Sequence, residues 1–281
     1  MREKISGAAM WLCSLTLAGV LALGMFAPRS HAANPPIDAE TLRLFAGQQR
    51  CAQIGPLPCV APLPPPAGPQ TVTFNENVDT TSCGTSCSFT SEAISATCPN
   101  RVVVGALSGV NTGSTSNQSV SGTIAGVTLT QAVAQTNNNG TNGYWSAVVY
   151  AAVPSGTTAT FALTLSVSTI RVGLGVYTLC NLNSTTAKNT VGANNSGTTV
   201  TLNVNTAVGD VAVGSGHNDA GSTSTWSGAT KDFDDNVGAT GSITTGAHFA
   251  ETAAQTPRAV STTWGSCSGG NFCSGALATW H

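Results

Sequence analysis

Apolar and polar residues alternate through much of this chain. Phe161, Leu163, Leu165 and Val167 take every second position, and Thr160, Ala162, Thr164 and Ser166 fill the gaps. A period of two sends one row to a core and the other to water, as in a half-buried strand. Just before it, Tyr144–Ala152 is a nearly continuous apolar run, and Pro154 and Gly156 between the two supply turn chemistry. Further inward rows are expected at Val72 with Phe74, Phe89, Val102–Leu107, Val127 with Leu129, and Val172 with Leu174 and Val176. Others follow at Val200 with Leu202 and Val204, Val211 with Val213, Phe249, and Val260 with Trp264. This predicts an all-β fold: a two-sheet antiparallel sandwich, jelly-roll or Ig-like, of about ten strands over residues 71–264. Asn111–Ser119, Thr136–Gly143 and Asn181–Thr198 read as long polar loops at the sandwich ends, and residues 265–281 as an appended tail clipped by Cys267 and Cys273.

The ends add an address. Arg2 and Lys4 precede a stretch from Ile5 to Pro28 without charge, and Ser30-His31-Ala32 offers small residues for cleavage after Ala32. Residues 1–32 therefore read as a signal peptide, with a retained membrane anchor as the competing reading. Residues 33–70 hold nine of the thirteen prolines and read as a stiff spacer with a short helix from Asp38 to Gln49. The mature chain is expected outside the cytoplasm, secreted or in the periplasm and cell envelope, with no membrane span once the signal is removed.

Composition narrows the chemistry. Beyond Ala32 there are seven Lys and Arg against eleven Asp and Glu, a balance of 7 − 11 = −4, which gives no electrostatic footprint for nucleic acid. Charged residues are 8% of the chain, far below the usual quarter, and Ser, Thr, Asn and Gly carry the polarity instead. With Cys13 removed, eight cysteines remain: Cys51, Cys59, Cys83, Cys87, Cys98, Cys180, Cys267 and Cys273. An even count in an exported chain reads as disulfides. Spacing suggests Cys51 with Cys59 and Cys267 with Cys273; the other four pair among themselves in an order left open. Zinc on Cys83, Cys87 and Cys98 is the alternative.

Several segments together carry a resemblance: Cys87-Ser-Phe-Thr-Ser, Asn100-Arg-Val-Val-Val-Gly, and Ser119-Val-Ser-Gly-Thr-Ile-Ala-Gly-Val-Thr-Leu. They continue with Trp145-Ser-Ala-Val-Val-Tyr-Ala-Ala-Val-Pro-Ser-Gly-Thr and Arg171-Val-Gly-Leu-Gly-Val-Tyr-Thr-Leu. Over residues 71–264 the chain resembles a group of uncharacterised β-sandwich proteins of proteobacteria and their phages, some associated with virions or cell surfaces. The resemblance implies a fold and transfers no catalytic residue.

Candidate chemistry is sparse. Asp232, Asp234 and Asn236 at alternate positions before Gly238 suggest an irregular Ca²⁺ loop, with a solvated acidic turn as the plainer account. No other cofactor is expected. His217, in a glycine-rich segment, is a candidate binding residue that could converge with His248 and Glu251. Tyr144, Asn138 and Trp226, with Tyr150 and Tyr177, could form an aromatic and amide platform for sugars, against core packing as the ordinary fate of strand aromatics. Hydrolase and nucleotide motifs such as G-x-S-x-G and H-E-x-x-H do not occur, and no carboxylate pair is singled out by spacing. The expected function is a non-catalytic exported module, structural at a surface or binding an extracellular glycan or surface protein. A polysaccharide-acting enzyme on a jelly-roll scaffold is the alternative.

Overall fold

The computed structural model describes residues 68–267 and 272–281. The expected signal peptide, nearly all of the Pro-rich spacer with its helix, and the Cys51–Cys59 pair lie outside the described residues. The strands are β1 (Thr71–Thr80), β2 (Gly84–Ala93), β3 (Val102–Asn111), β4 (Val120–Ile124), β5 (Val127–Thr128), β6 (Thr130–Asn138), β7 (Gly143–Ala152), β8 (Thr158–Cys180) and β9 (Asn189–Asn195). They continue as β10 (Thr199–Thr201), β11 (Val204–Thr206), β12 (Val211–Asn218), β13 (Ser224–Ser227), β14 (Thr230–Asn236), β15 (Ile243–Ala250), β16 (Gln255–Arg258), β17 (Ser261–Trp264) and β18 (Cys273–Trp280). The all-β class agrees with the alternation in the sequence. The strand count does not: the described residues form eighteen strands rather than about ten, in four sheets of eight, five, three and two strands. Among the described residues no helix is long and apolar enough to cross a membrane.

The spine of the eight-stranded sheet is β8, 23 residues long. Its first half pairs with β2 and β4, and its second half with β1 and β3. Sequence alternation suggests two strands here, one at Phe161–Val167 and one at Val172–Val176. They are one strand with a bulge, because Val110 faces Arg171 while Asn111 faces Thr169. The extra residue, Ile170, is 37% exposed. It flips the inward row from odd positions (Phe161, Leu163, Leu165) to even ones (Val172, Leu174, Val176), all in the same core. A bulge sharpens bend and twist, and it curls this sheet toward a barrel around Trp145, Leu107 and Phe161. Although the Pro154–Gly156 turn joins them in sequence, β7 and β8 are not direct neighbours: β3 lies between them.

Arg101 closes the end of that core. Its Nε donates to Val153 O at 2.7 Å, Nη1 to Ser95 O at 2.8 Å and Gly156 O at 2.9 Å, and Nη2 to Ser155 O at 2.6 Å. The guanidinium thus holds the Val153–Gly156 turn by its main chain.

The outer face of the curled sheet packs on the five-stranded sheet, ordered β14-β15-β12-β18-β9. Val104, Val148, Tyr177 and Leu179 meet Val211, Val213, Ala276 and Trp280 in this second core. A third core lies on the far side of the five-stranded sheet, where Leu277, Ala212 and Phe249 meet Val200, Leu202, Trp226 and Trp264 from the small-sheet region. Two expectations are corrected here. The residue 265–281 tail is no appendage, since β18 is buried throughout and lies between β12 and β9. The polar segment 181–198 is not all loop, since it contains β9. Both strands are poor in large apolar residues, so their local patterns are mute.

The cysteines pair as Cys83–Cys87, Cys98–Cys180 and Cys267–Cys273, with Cα separations of 4.8, 5.7 and 5.4 Å. The Cys267–Cys273 closure matches its expectation; of the pairings left open, Cys83–Cys87 is local, and Cys98–Cys180 joins segments 82 residues apart. Cys83, Cys87 and Cys98 are used in disulfides, which removes the zinc alternative.

Candidate functional site

A cleft of about 380 Å³ opens beside the start of β1, with Gln70, Thr71, Thr230, His248, Phe249 and Arg258 among its lining. Its geometry starts from a bulge in β14. Lys231 faces Ala247 and Phe233 faces Gly246, leaving Asp232 as the extra residue. Bulges re-aim side chains, and Asp232 reaches two neighbours at once. His248 Nδ1 lies 2.8 and 2.9 Å from its two carboxylate oxygens, and Tyr177 Oη donates to Oδ2 at 2.9 Å. Burial, and then the nearby Asp232 carboxylate, push the Tyr177 phenol well above its ordinary range, so it stays a donor. With Nδ1 donating to Asp232, the imidazole ring is fixed and Nε2 is the nitrogen left for a ligand.

Behind these groups Phe233 stacks on Phe74 at 5.6 Å. Gly175 and Gly246 make room for it, since a Cβ at either position would collide with the Phe233 ring. Glycine is required there by close approach rather than by backbone conformation.

Arg258 is the second fixed group. Its Nε and Nη2 donate to Gly228 O at 3.0 and 2.6 Å, and its Nη1 donates to Glu251 Oε2 at 2.7 Å. The guanidinium carbon sits 4.1 Å from the centre of the Phe249 ring, a cation–π contact. Burial alone would raise the Glu251 carboxyl, but hydrogen bonds from Arg258 and Thr206 outweigh it and hold the acid below its ordinary range. The cleft therefore presents an oriented imidazole and an oriented guanidinium. An imidazole held by a carboxylate is also how a general base is prepared, but nucleophilic catalysis needs a hydroxyl or thiol on the other nitrogen. Among the described residues none is hydrogen-bonded to Nε2, and no group of three His, Cys, Asp or Glu is placed to hold a metal.

The expected calcium ligands do not converge. Asp232 serves Tyr177 and His248; Asp234 accepts from Ser224 and from Lys231 Nζ at 2.7 Å; the Asn236 side-chain oxygen accepts from Gly241 N. They sit in strand β14, neither a loop nor a turn. The sugar platform fails for a different reason: Tyr144, Tyr150, Tyr177 and Trp226 are all buried, and Trp226 donates to Thr245 Oγ1 within the third core. Asn138 is exposed and accepts from Gly140 N in its own turn.

His217 is fully buried and does not meet His248. On β12 it faces Thr244, while His248 faces Val213 four residues away. Its ring stacks on Tyr144 at 5.9 Å, and Phe272 stacks on Tyr144 at 6.0 Å. Neither His217 nitrogen has a hydrogen-bond partner. Burial, and then the positive Arg171 nearby, lower its pKa to about 3, so it is neutral at ordinary pH.

Sequence reasoning weighed Asp232 as a calcium ligand, His248 as a partner of His217 and Tyr177 as a platform aromatic, and it missed Arg258 as a site-forming group. A signal for the true pairing exists. Taking Val237–Gly241 as the reversal of a hairpin would have put Asp232 and His248 on neighbouring strands. In comparison with known proteins, the chain matches no family model, and no curated protein and no solved structure is significantly similar to it.

Proposed function

We propose that this chain is an exported, non-catalytic binding module of the cell envelope or exterior, and that the β1/β14/β15 cleft takes an extracellular glycan. The carrying observation is that the two ionisable side chains of the cleft are already held: His248 by Asp232, and Arg258 by Glu251, Gly228 and Phe249. Groups fixed in advance lose little rotamer freedom when a ligand arrives, so more of each contact appears as affinity. The cleft is near the lower end of the size range of small-molecule sites, which suits one or two sugar units. Paired cysteines are in keeping with an oxidising compartment. The eight- and five-stranded sheets are read as the two leaves of an elaborated sandwich, in line with the resemblance to bacterial and phage surface proteins.

A polysaccharide-acting enzyme is the second reading, favoured by one observation: Asp232 also orients His248 as it would a general base. Glycan-array binding, followed by calorimetry on hits and assay of their breakdown, separates the two. The expected result is binding without cleavage, weakened about tenfold in His248→Gln by loss of one charge-assisted or strong hydrogen bond. Breakdown products that disappear in His248→Gln would establish the enzyme. Retention of no glycan would remove the binding reading.

A further inference from the structure

We propose that the cleft selects an acidic glycan, one whose anionic group is received by Arg258 and His248. This rests on the glycan-binding reading above and adds the charge of the ligand.

The inference comes from which partner of each hydrogen-bonded pair faces the cleft. His248 and Arg258 line it. Their carboxylate partners do not: Asp232 and Glu251 have side chains only 6% and 3% exposed and stand behind the groups they hold. Among the described lining residues no carboxylate appears. The Arg258–Glu251 pair is thus a dipole with its positive end toward the ligand, and at this range the nearer charge dominates; His248 adds to it when its ring carries both protons.

Hydrogen-bond capacity points the same way. A guanidinium has five N–H groups in a rigid fork. Arg258 spends one on Glu251 and two on Gly228 O, so each terminal nitrogen keeps one N–H. The stack on Phe249 fixes the plane of that fork. His248 has given Nδ1 to Asp232 and offers Nε2. Thr71 and Thr230 on the rim supply hydroxyls that both donate and accept. Arg258, and His248 when both of its ring nitrogens are protonated, favour acceptors, and a carboxylate or sulfate is the acceptor that forms charge-assisted bonds, about twice as strong as neutral ones.

The test uses the full mature chain and calorimetry with three probes: a galacturonate disaccharide, its fully methyl-esterified neutral form, and a sulfated galactose disaccharide. The esterified probe keeps shape and removes charge. The expected result is that at least one anionic probe binds about tenfold or more tightly than the neutral ester, and that rising salt narrows the gap. Arg258→Lys should abolish most of that preference, since it keeps the charge opposite Glu251 but loses the fork. His248→Gln provides a second variant should Arg258→Lys not fold. Galacturonate alone, or sulfate alone, would support the proposal and identify the anion. Equal binding of anionic and neutral probes, weakened by His248→Gln, would overturn charge selection and leave the glycan-binding reading standing. Binding of none of the three, with an array that also retains no glycan, would overturn both.

Discussion

Arg101 brings a positive charge to a site only 2% exposed, and its recorded partners are four main-chain carbonyls rather than a carboxylate. Burial lowers its pKa, but the group stays charged. A lysine cannot reproduce a planar fork, so Arg101→Lys should cost about 2–3 kcal/mol, measured as a shift in urea midpoint at unchanged slope. A loss below the error of that measurement would mean the turn carbonyls find other donors. His217 makes a second residue-scale prediction. Its pKa is about 3 in the folded chain against 6.5 for the free side chain, so the unfolded chain binds the extra proton between those values. Stability is therefore full above about pH 6.5 and falls by about 1.4 kcal/mol per pH unit toward pH 3. His217→Phe should flatten that part of the stability–pH curve, and an unchanged slope would assign the acid sensitivity to other groups.

Among the elements, the disulfides differ sharply in what they constrain. Cys98–Cys180 spans 82 residues and ties the segment before β3 to the end of β8, whereas Cys83–Cys87 spans only 4. Loop-closure entropy then makes the first worth about 4 kcal/mol and the second about 2 kcal/mol. Replacing each pair by Ala and comparing denaturant midpoints should reproduce that order; the reverse order would show that native-state contacts, not unfolded-chain entropy, dominate. Legibility in the sequence varies by element for a physical reason. The first half of β8 has one face in water and alternates, so it was readable. By contrast β18 is buried on both faces, with Ala276 and Ala278 in one core and Leu277 in another, and it carries no alternation to read. Its neighbour β9 has similarly little large apolar content.

At the scale of the whole molecule, the three cores are joined through shared strands. Leu107 of β3 lies in the first core and Val104 in the second, while Val213 of β12 lies in the second and Ala212 in the third. Each core also has its own tryptophan: Trp145 in the first, Trp280 in the second, and Trp226 with Trp264 in the third. Variants keeping one core's tryptophan, with Phe at the others, should give coincident thermal midpoints by fluorescence if shared strands enforce one cooperative unit. Separated midpoints would instead identify the small-sheet region as an independently melting layer.

The amino-acid sequence by itself determined the all-β class, the strand at Phe161–Val167, the turn at Pro154–Gly156 and the Cys267–Cys273 closure. All of these depend on residues close together in the chain, where side-chain period and turn chemistry act directly. The tertiary structure alone decided the fusion of two expected strands into β8 and the burial of Tyr144, Trp226 and His217. It also decided the grip of Arg101 on the 153–156 turn and the capture of His248 by Asp232. Those outcomes depend on groups far apart in sequence that meet only once sheets pack, and on strands buried on both faces, whose local pattern does not distinguish inside from outside.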